Sequence, residues 1–207
     1  MTALILGCVA AFFIGAIPFG VIVGRVFFKT DVRRAGSGNI GAANALRTLG
    51  KRGAIAVLVL DGLKGAVPVL IFERALAPAP PSSFACAVAF AAILGHCYSP
   101  FLGGKGGKGV ATAFGALWAL SWPAGVTFTL VWIAALVATG FASVASMAAS
   151  VAMPFALWFM IGEPGLVYGF ASALFIIYAH RENVARLVAG TENALPIFAK
   201  RPGTTSS

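Results

Sequence analysis

The chain has 207 residues, 59% of them hydrophobic and only 10% charged, with a mean hydropathy of +0.93 and a net charge of +9. Soluble domains carry about 25% charged residues, so the composition excludes an ordinary soluble domain and indicates an all-α integral membrane protein. A nucleic-acid binder is also disfavoured, because its basic residues would form one solvated surface, whereas these lie between long apolar runs.

The first half of the chain contains three apolar runs that can each cross a bilayer. A crossing helix needs about 20 apolar residues, and residues 2–24, 53–72 and 84–102 supply them. Pro18 is expected to kink the first helix, because proline removes a backbone hydrogen bond. The Pro/Ala/Ser-rich stretch 77–83 predicts the turn between the second helix and the third.

The second half begins with a long apolar run, residues 109–162, which contains no Asp, Glu, Lys or Arg. As a single helix it would be about 80 Å long, far more than a bilayer is thick, so it must fold back on itself. The predicted breaks are Ser121-Trp122-Pro123 and Thr139-Gly140, and residues 165–179 form the last apolar run.

Basic residues predict how these helices are oriented. Most of them fall within residues 25–52, 105–108 and 181–201, and the positive-inside rule places all three segments in the cytoplasm. Consecutive segments must then be separated by an even number of crossings. The chain is therefore predicted to have seven transmembrane helices, with its N-terminus outside and its C-terminus cytoplasmic.

The polar residues concentrate in three clusters, and the first polar cluster comprises residues 37–47. Ser37, Asn39 and Asn44 offer neutral hydrogen-bonding groups, and Arg47 offers a planar fork suited to phosphate. The glycines between them let backbone amides approach a ligand and form an anion-binding nest. The alternative is that Ser37 or Asn39 simply caps the helix that follows.

The second polar cluster comprises residues 95–112 and contains the glycine-rich loop 103–109 around Lys105 and Lys108. Glycines and lysines at this density indicate a phosphate-binding loop. It is not a Walker A motif, because the first glycine and the Ser or Thr that the motif requires are both missing. The alternative is a flexible basic loop that faces lipid headgroups.

The third polar cluster comprises residues 180–193. His180, Asn183 and Arg186 are spaced i, i+3 and i+6, so they roughly share one face of a helix, and Gly190 is expected to stop that helix. This grouping favours a functional role over the structural role that a lone histidine would have.

Three further polar residues lie in or beside the apolar runs. Asp61 and Lys64, inside the second run, either pair with each other or anchor one of the polar clusters, since charges in a membrane need partners. His96 either makes a structural hydrogen bond or binds a ligand.

Several other chemistries are disfavoured. The two histidines and three cysteines are scattered, which predicts no metal site and no disulfide framework. The H-x-x-x-x-D pattern of a large acyltransferase class is missing, because Phe101 and Ala185 stand where its aspartate would be. A Gly-x-Ser-x-Gly nucleophile elbow is missing too.

Together the three clusters resemble the acylphosphate:glycerol-3-phosphate acyltransferase family (PlsY) of bacteria. That family's motifs look like S-G-N-x-G-x-T-N-x-x-R, then G-H followed later by K-G-G-K-G-V-A-T, then H-R-x-N-x-x-R-x-x-x-G-x-E. The matching residues here are Ser37, Gly38, Asn39, Gly41, Asn44 and Arg47, then Gly95, His96 and Lys105 to Thr112, then His180, Arg181, Asn183, Arg186, Gly190 and Glu192. The likeness extends to about residue 193, and Ala43 departs from it where Thr is usual.

The resemblance implies transfer of a fatty acyl group from acyl phosphate to the 1-hydroxyl of sn-glycerol 3-phosphate. The products would be lysophosphatidic acid and phosphate, in phospholipid biosynthesis. No cofactor and no metal are expected, because the donor is an already activated mixed anhydride. The implied setting is the inner membrane of a bacterium, with the site on the cytoplasmic face, and a monomer is compatible with it.

The resemblance also implies roles for individual residues. Lys108, Ser37 and Asn183 would hold the acyl phosphate and stabilise charge developing on its carbonyl group. Arg47 and His180 would bind glycerol 3-phosphate and orient its hydroxyl, whose proton would go either to His180 or to the departing phosphate. The remaining substrate-binding candidates are Gly38, Asn39, Gly41, Asn44, His96, Lys105, Gly106, Gly107, Thr112, Ser143, Ser146, Arg181, Arg186, Gly190 and Glu192.

A transporter of a phosphorylated small solute is the alternative function. Transporters usually bind substrate near the bilayer midplane between repeated halves, whereas here the polar residues crowd one face and no halves repeat. Residues 1–193 are predicted to form a single membrane domain. Residues 194–207 match no motif and are expected to form a disordered tail.

Overall fold

A computed structural model describes the backbone of residues 1–76 and 83–198, and the side chains of residues 1–72 and 83–198. The helices are α1 (Thr2–Ala16), α2 (Phe19–Phe28), α3 (Ala42–Thr48), α4 (Gly50–Leu76), α5 (Ser83–Cys97), α6 (Val110–Leu120), α7 (Trp122–Thr139), α8 (Ala142–Ile161), α9 (Glu163–Ala179) and α10 (Arg181–Val188). Short 3-10 turns occur at Val32–Arg34 and Pro100–Leu102. The described residues contain no strand, which confirms the all-α prediction.

The long apolar run folds back where the sequence predicted. Ser121 separates α6 from α7, and Gly140, with φ of 77°, ends α7 before α8 begins. A left-handed glycine stops a helix without strain, because it has no Cβ to clash with the following carbonyl. The predicted turn at 77–83 lies outside the described residues except for Ser83, where α5 begins.

Five segments of the described chain are long and apolar enough to cross a membrane. They are Thr2–Phe28, Gly50–Phe72, Ser83–Leu102, Trp122–Thr139 and Ala142–Ile161. The apolar helices α6 and α9 are shorter, with 11 and 17 residues. Helix length therefore supports an integral membrane protein and five of the seven predicted crossings.

The first apolar run is interrupted rather than merely kinked, because α1 ends before Pro18 and α2 starts after it. Two carbonyl groups at this break find partners on segments that follow later in the chain. Ser99 Oγ donates to the carbonyl oxygen of Ala16 at 2.6 Å, and Lys64 Nζ donates to that of Ile17 at 2.8 Å. Lys64 Nζ also lies 2.8 Å from Asp61 Oδ1. The buried pair therefore forms, which is the first of the two alternatives that the sequence left open, and Lys64 also anchors the break.

Small residues let the helices approach closely in the interior. A methyl group on Gly15 of α1 would lie 2.1 Å from the carbonyl oxygen of Ala92 of α5. A methyl group on Gly115 of α6 would lie 1.9 Å from the carbonyl oxygen of Gly62 of α4. Glycine at such crossings is typical of membrane helices, whose association depends on close van der Waals packing.

The apolar core lies between α5, α6, α8 and α9. Its fully buried side chains include Ile93, Leu117, Met153, Leu157 and Ile176. The polar clusters lie at one edge of this core, where Phe128 belongs both to the core and to the cavity that the clusters share. The start of the predicted tail packs on the fold through Leu195, which is 5% exposed, and residues 199–207 lie outside the described part of the chain.

Candidate functional site

The three polar clusters meet in one cavity of about 330 Å³, which we call the polar pocket. It is lined by residues from α3, the first half of α4, the ends of α5 and α9, the first turns of α6 and α8, the middle of α7, and α10. Its polar lining residues are Ser37, Asn39, Asn44, Arg47, Asp61, His96, Lys108, Thr129, Ser143, Ser146, His180 and Asn183. Gly41, with Ala42 and Ala43, completes the part contributed by the first cluster.

Asn44 shapes the loop of the first polar cluster. Its side chain is 1% exposed, and its Nδ2 donates to the carbonyl oxygens of Val32 and Asn39 at 2.8 and 2.7 Å. Its Oδ1 accepts from the amide of Ser37 at 2.7 Å, and Asn39 Oδ1 accepts from the amide of Gly41 at 2.9 Å. These bonds occupy the Asn44 side chain, so it holds Ser37 at the pocket instead of offering donors to a substrate.

The glycine-rich loop packs against the C-terminal end of α5. The amide of Gly106 donates to the carbonyl oxygen of Cys97 at 2.9 Å, and the amide of Gly107 donates to that of His96 at 3.0 Å. These two amides therefore satisfy the end of a helix, whereas the sequence predicted that these glycines bind substrate. A methyl group on Gly107 would lie 2.0 Å from His96 Nε2. The close packing explains the glycine and delivers Lys108 to the pocket.

Lys108 is held by a chain of hydrogen bonds from the third polar cluster. Its ammonium group donates to Asn183 Oδ1, and Asn183 Nδ2 donates to Glu192 Oε1 at 2.7 Å. Because a carboxylate only accepts, Glu192 fixes the amide with its oxygen towards Lys108. Burial, together with the nearby Arg186 cation, lowers the pKa of Lys108 to about 8. The ammonium is thus poorly solvated but still largely protonated at neutral pH, which suits it to bind an anion.

Glu192 ties together groups just outside the cavity. It also accepts from Ser143 Oγ at 3.0 Å and from Arg186 Nε at 2.8 Å, and its side chain is 5% exposed. Burial raises the pKa of Glu192, but hydrogen bonds from Asn183, Arg186 and Ser143 outweigh this and hold the pKa below its usual value. The carboxylate therefore stays charged and positions Asn183 and Ser143 instead of lining the pocket.

His180 lies between α9 and α10 and is 4% exposed. Its Nδ1 is 2.8 Å from the carbonyl oxygen of Ile176, and because a carbonyl only accepts, Nδ1 carries the proton. Burial lowers the pKa of His180 to about 4; the bond to Ile176 opposes this shift and the charge of Lys108 adds to it. The imidazole is therefore neutral at neutral pH, and its Nε2 can accept a hydrogen bond from a hydroxyl group.

Arg47 brings a second cation to the pocket. Its Nη2 donates to the carbonyl oxygen of Asn193 at 2.8 Å, which uses one of the five N–H groups of the guanidinium. Burial lowers the pKa of Arg47, yet a guanidinium stays protonated at any physiological pH. The remaining donors match the geometry of a phosphate group.

The N-terminus of α6 also faces the pocket, through Gly109, Val110 and Ala111. The first hydrogen bond of this helix runs from the amide of Ala113 to the carbonyl oxygen of Gly109 at 2.8 Å. Earlier amides in a helix have no partner within it, and together with the helix dipole they favour an anion. This positive end lies next to Lys108 in the chain.

The rest of the pocket is apolar. Phe114 and Phe128 pack with ring centroids 6.0 Å apart, and Trp132 Nε1 donates to Ser146 Oγ at 3.2 Å. Ser146 is thereby part of the wall. Leu58 of α4 and Ile133 of α7 also line the pocket but are 44% and 48% exposed. The cavity therefore opens sideways between α4 and α7, on the surface that faces lipid.

Nine predicted substrate-binding residues lie outside the pocket lining, and four of them, Gly106, Gly107, Arg186 and Glu192, are described above. Gly38 and Lys105 are exposed on loops, and Thr112 is fully buried where α6 packs on α4. The guanidinium of Arg181 lies over the ring of Tyr178, 4.7 Å from its centroid. Gly190, with φ of 69°, ends α10 as predicted and is exposed. These residues support the fold or the surface around the pocket.

The structure adds residues that sequence reasoning missed. Phe128 and Trp132 form a wall, and their i, i+4 spacing on α7 is the one signal that could have placed them together. Asp61, expected to pair or to anchor a cluster, lines the pocket as well, with Oδ1 3.8 Å from His96 Nδ1. Within the described residues no group of three or more His, Cys, Asp or Glu side chains could hold a metal ion.

Comparisons with known proteins agree on one family. The family model for glycerol-3-phosphate acyltransferase matches residues 5–190. A glycerol-3-phosphate acyltransferase of Brucella anthropi is 42% identical over 188 residues, which cover 90% of each chain. Another, of Ruegeria pomeroyi, is 44% identical over 189 residues and 91% of each chain.

Two solved structures share the fold. One is PlsY, an integral membrane glycerol 3-phosphate acyltransferase, in its glycerol 3-phosphate form. Its TM-score is 0.87 at 35% identity, with 94% of this chain and 96% of that chain covered. The lysophosphatidic acid form of the same protein gives a TM-score of 0.84 at 34% identity, with 94% and 95% covered.

Proposed function

Because the chain belongs to the glycerol-3-phosphate acyltransferase family, we propose that its polar pocket takes a fatty acyl group from acyl phosphate. The acceptor is the 1-hydroxyl of sn-glycerol 3-phosphate, and the products are lysophosphatidic acid and inorganic phosphate. Acyl transfer to glycerol 3-phosphate in phospholipid synthesis is the activity of the family. The acyl phosphate donor and the residue roles below are this proposal's own content.

One observation carries the proposal: a single cavity has a polar end built from all three clusters and an apolar end open towards lipid. Two phosphorylated substrates need cations and N–H donors at the polar end. A fatty acyl chain needs the apolar wall of Phe114, Phe128 and Trp132. A small soluble metabolite alone would not need that wall.

At the polar end, the acyl phosphate is assigned to Lys108, Ser37 and the N-terminus of α6. A phosphate there meets a poorly solvated ammonium and unpaired helix amides. The same groups stabilise negative charge as it develops on the carbonyl oxygen. Glycerol 3-phosphate is assigned to Arg47, with its hydroxyl at Nε2 of His180.

The hydroxyl proton is assigned to the departing phosphate. The oxygen of the hydroxyl attacks the acyl carbon, the bond from that carbon to the phosphate oxygen breaks, and the phosphate leaves carrying the proton. His180, with a pKa of about 4, is a weak base whose neutral Nε2 accepts a hydrogen bond and orients the hydroxyl. The bond from Nδ1 to Ile176 fixes the ring in that orientation.

The membrane arrangement is proposed as seven crossings in a cytoplasmic (inner) membrane. The starts of α6 and α8 and the ends of α5 and α9 reach the pocket at one end of the bundle. Helices that cross the membrane in alternating directions would place their starts and ends in this way. Because basic residues are retained on the cytoplasmic side, this end and the C-terminus are assigned to the cytoplasm and the N-terminus to the outside.

The test supplies purified protein in lipid with acyl phosphate and labelled glycerol 3-phosphate, and measures labelled lipid. Wild-type protein should form lysophosphatidic acid, and Lys108→Ala should not. Lys51→Ala, which removes an exposed lysine outside the pocket, is the control and should stay active. Uptake of label into sealed vesicles without lipid product would favour the transporter, and near-normal turnover of folded Lys108→Ala would remove Lys108 from the mechanism.

A further inference from the structure

After α10 the chain continues as a segment, residues 190–198, which we call the C-terminal strap. The amide of Thr191 donates to the carbonyl oxygen of Arg186 at 2.8 Å and starts the strap in a tight turn. The amide of Leu195 donates to the carbonyl oxygen of Gly140, between α7 and α8, at 3.0 Å. Between these two fixed points lie Glu192 and Asn193.

Leu195 is the apolar anchor of the strap. It is 5% exposed and packs with the buried side chains of Leu136 on α7 and Ala145 on α8. Ala43 and Leu46 of α3 pack against the same group. Leu195 therefore belongs to one apolar cluster with residues of α3, α7 and α8.

The helix that carries Arg47 has little other support on this side. Among the described elements α3 packs mainly on α4, with smaller contacts to α2 and the 3-10 turn at Val32–Arg34. Towards the rest of the pocket, Arg47 is fixed by the carbonyl oxygen of Asn193, two residues before Leu195. The carbonyl group of Asn193 accepts this hydrogen bond, and α3 carries the donor. Both therefore depend on the packing of Leu195.

We infer that Leu195 is a positioning residue for glycerol 3-phosphate, which it serves by holding Arg47 at the pocket through Asn193 and α3. The inference rests on the proposed function, because it assigns the acceptor phosphate to Arg47. Glu192 keeps three hydrogen bonds of its own on α8 and α10. Loss of Leu195 should therefore disturb Arg47 far more than Lys108, and acceptor binding more than turnover.

The first experiment compares Leu195→Ala with wild type in purified, full-length protein. Leu195→Ala should raise KM for glycerol 3-phosphate about tenfold, equivalent to about 1.4 kcal/mol, and should change kcat and KM for acyl phosphate by less than about twofold. Ile197→Ala, which truncates a 61% exposed side chain of the same strap, is the matched control and should behave as wild type. Leu195→Met, which conserves volume, should restore the wild-type KM.

The second experiment separates positioning from simple stability by a double-mutant cycle with Arg47→Lys, which keeps the charge but loses the fork. If Leu195 acts through Arg47, adding Leu195→Ala to Arg47→Lys should raise KM by less than about twofold further. If the alanine variant melts below the assay temperature, Leu195→Val replaces it in the cycle.

Two results would overturn the inference: an unchanged KM in folded Leu195→Ala, or the same tenfold increase in the Arg47→Lys background. Wild-type protein that forms no lysophosphatidic acid would instead refute the proposed function. If wild-type protein is active but Leu195→Ala leaves KM for glycerol 3-phosphate unchanged, only the positioning role is refuted.

Discussion

Lys108 makes the rate of acyl transfer sensitive to alkaline pH. Burial and the nearby Arg186 lower its pKa to about 8, and only the protonated ammonium can pair with phosphate. About nine-tenths of the molecules carry the charge at pH 7 and about one-tenth at pH 9. The rate constant kcat/KM for acyl phosphate should therefore fall about tenfold over this interval, because the charged form is lost as pH rises through the pKa.

Other groups should not produce this fall. A phosphate ester takes up its last proton near pH 6, which is below the interval. The charged side chains around Lys108 are Arg47, Arg186, Glu182 and Glu192, so Lys108 is the one ammonium group among them. The lining of the polar pocket contains no Cys or Tyr among the described residues. The midpoint therefore reports on Lys108.

The assay measures initial rates of labelled lysophosphatidic acid from pH 6 to 10, corrected for hydrolysis of acyl phosphate without protein. Lys108→Arg supplies a charge that no accessible pH removes. Its rate should be lower, since the planar group fits differently, but it should not fall between pH 7 and 9. A wild-type profile that is flat to pH 10, or a fall with the same midpoint in Lys108→Arg, would refute the reasoning.

Three further substitutions test the support of the pocket. Gly107→Ala should reduce thermal stability by about 1–3 kcal/mol and with it activity, because the new methyl group meets His96 Nε2. Gly103→Asn is its control, since Gly103 has φ of 61°, which asparagine tolerates, and nothing within 4 Å; equal effects would contradict the packing argument. Asn44→Leu should cost about 1–3 kcal/mol in unfolding measurements, since it leaves buried backbone groups unpaired, and an unchanged melting temperature would count against that role. Glu192→Gln removes a charge that raises the pKa of Lys108, so the alkaline midpoint of the rate should move to lower pH; an unmoved midpoint would show that the two groups are not coupled.

The meeting of the three clusters could be predicted from the sequence because charge governs topology. The positive-inside rule predicts that all three clusters lie on the same membrane face. Polar groups on one face of a small bundle must then lie close together. The structure brings Ser37, Lys108 and His180 to the same cavity. The breaks around Ser121 and Gly140 could also be predicted, because the apolar run is too long for one helix and contains residues that form turns.

The sequence could not predict which polar atoms form hydrogen bonds with one another inside the protein. Gly106 and Asn44 look in sequence like ligand-binding groups, but their hydrogen bonds go to α5 and to a neighbouring loop. These choices depend on distances between segments far apart in the chain. Leu195 carries no signal at all, because one leucine in a tail resembles any other until its neighbours on α3, α7 and α8 are known.

The interruption at Ile17 and Pro18 ties the biogenesis of the first span to segments synthesised after it. Two carbonyl groups there are satisfied by Lys64 and Ser99, which leave the ribosome only later. A bare carbonyl in hydrocarbon is costly, so the polar groups at this break are fully satisfied only when these downstream segments lie beside the first span.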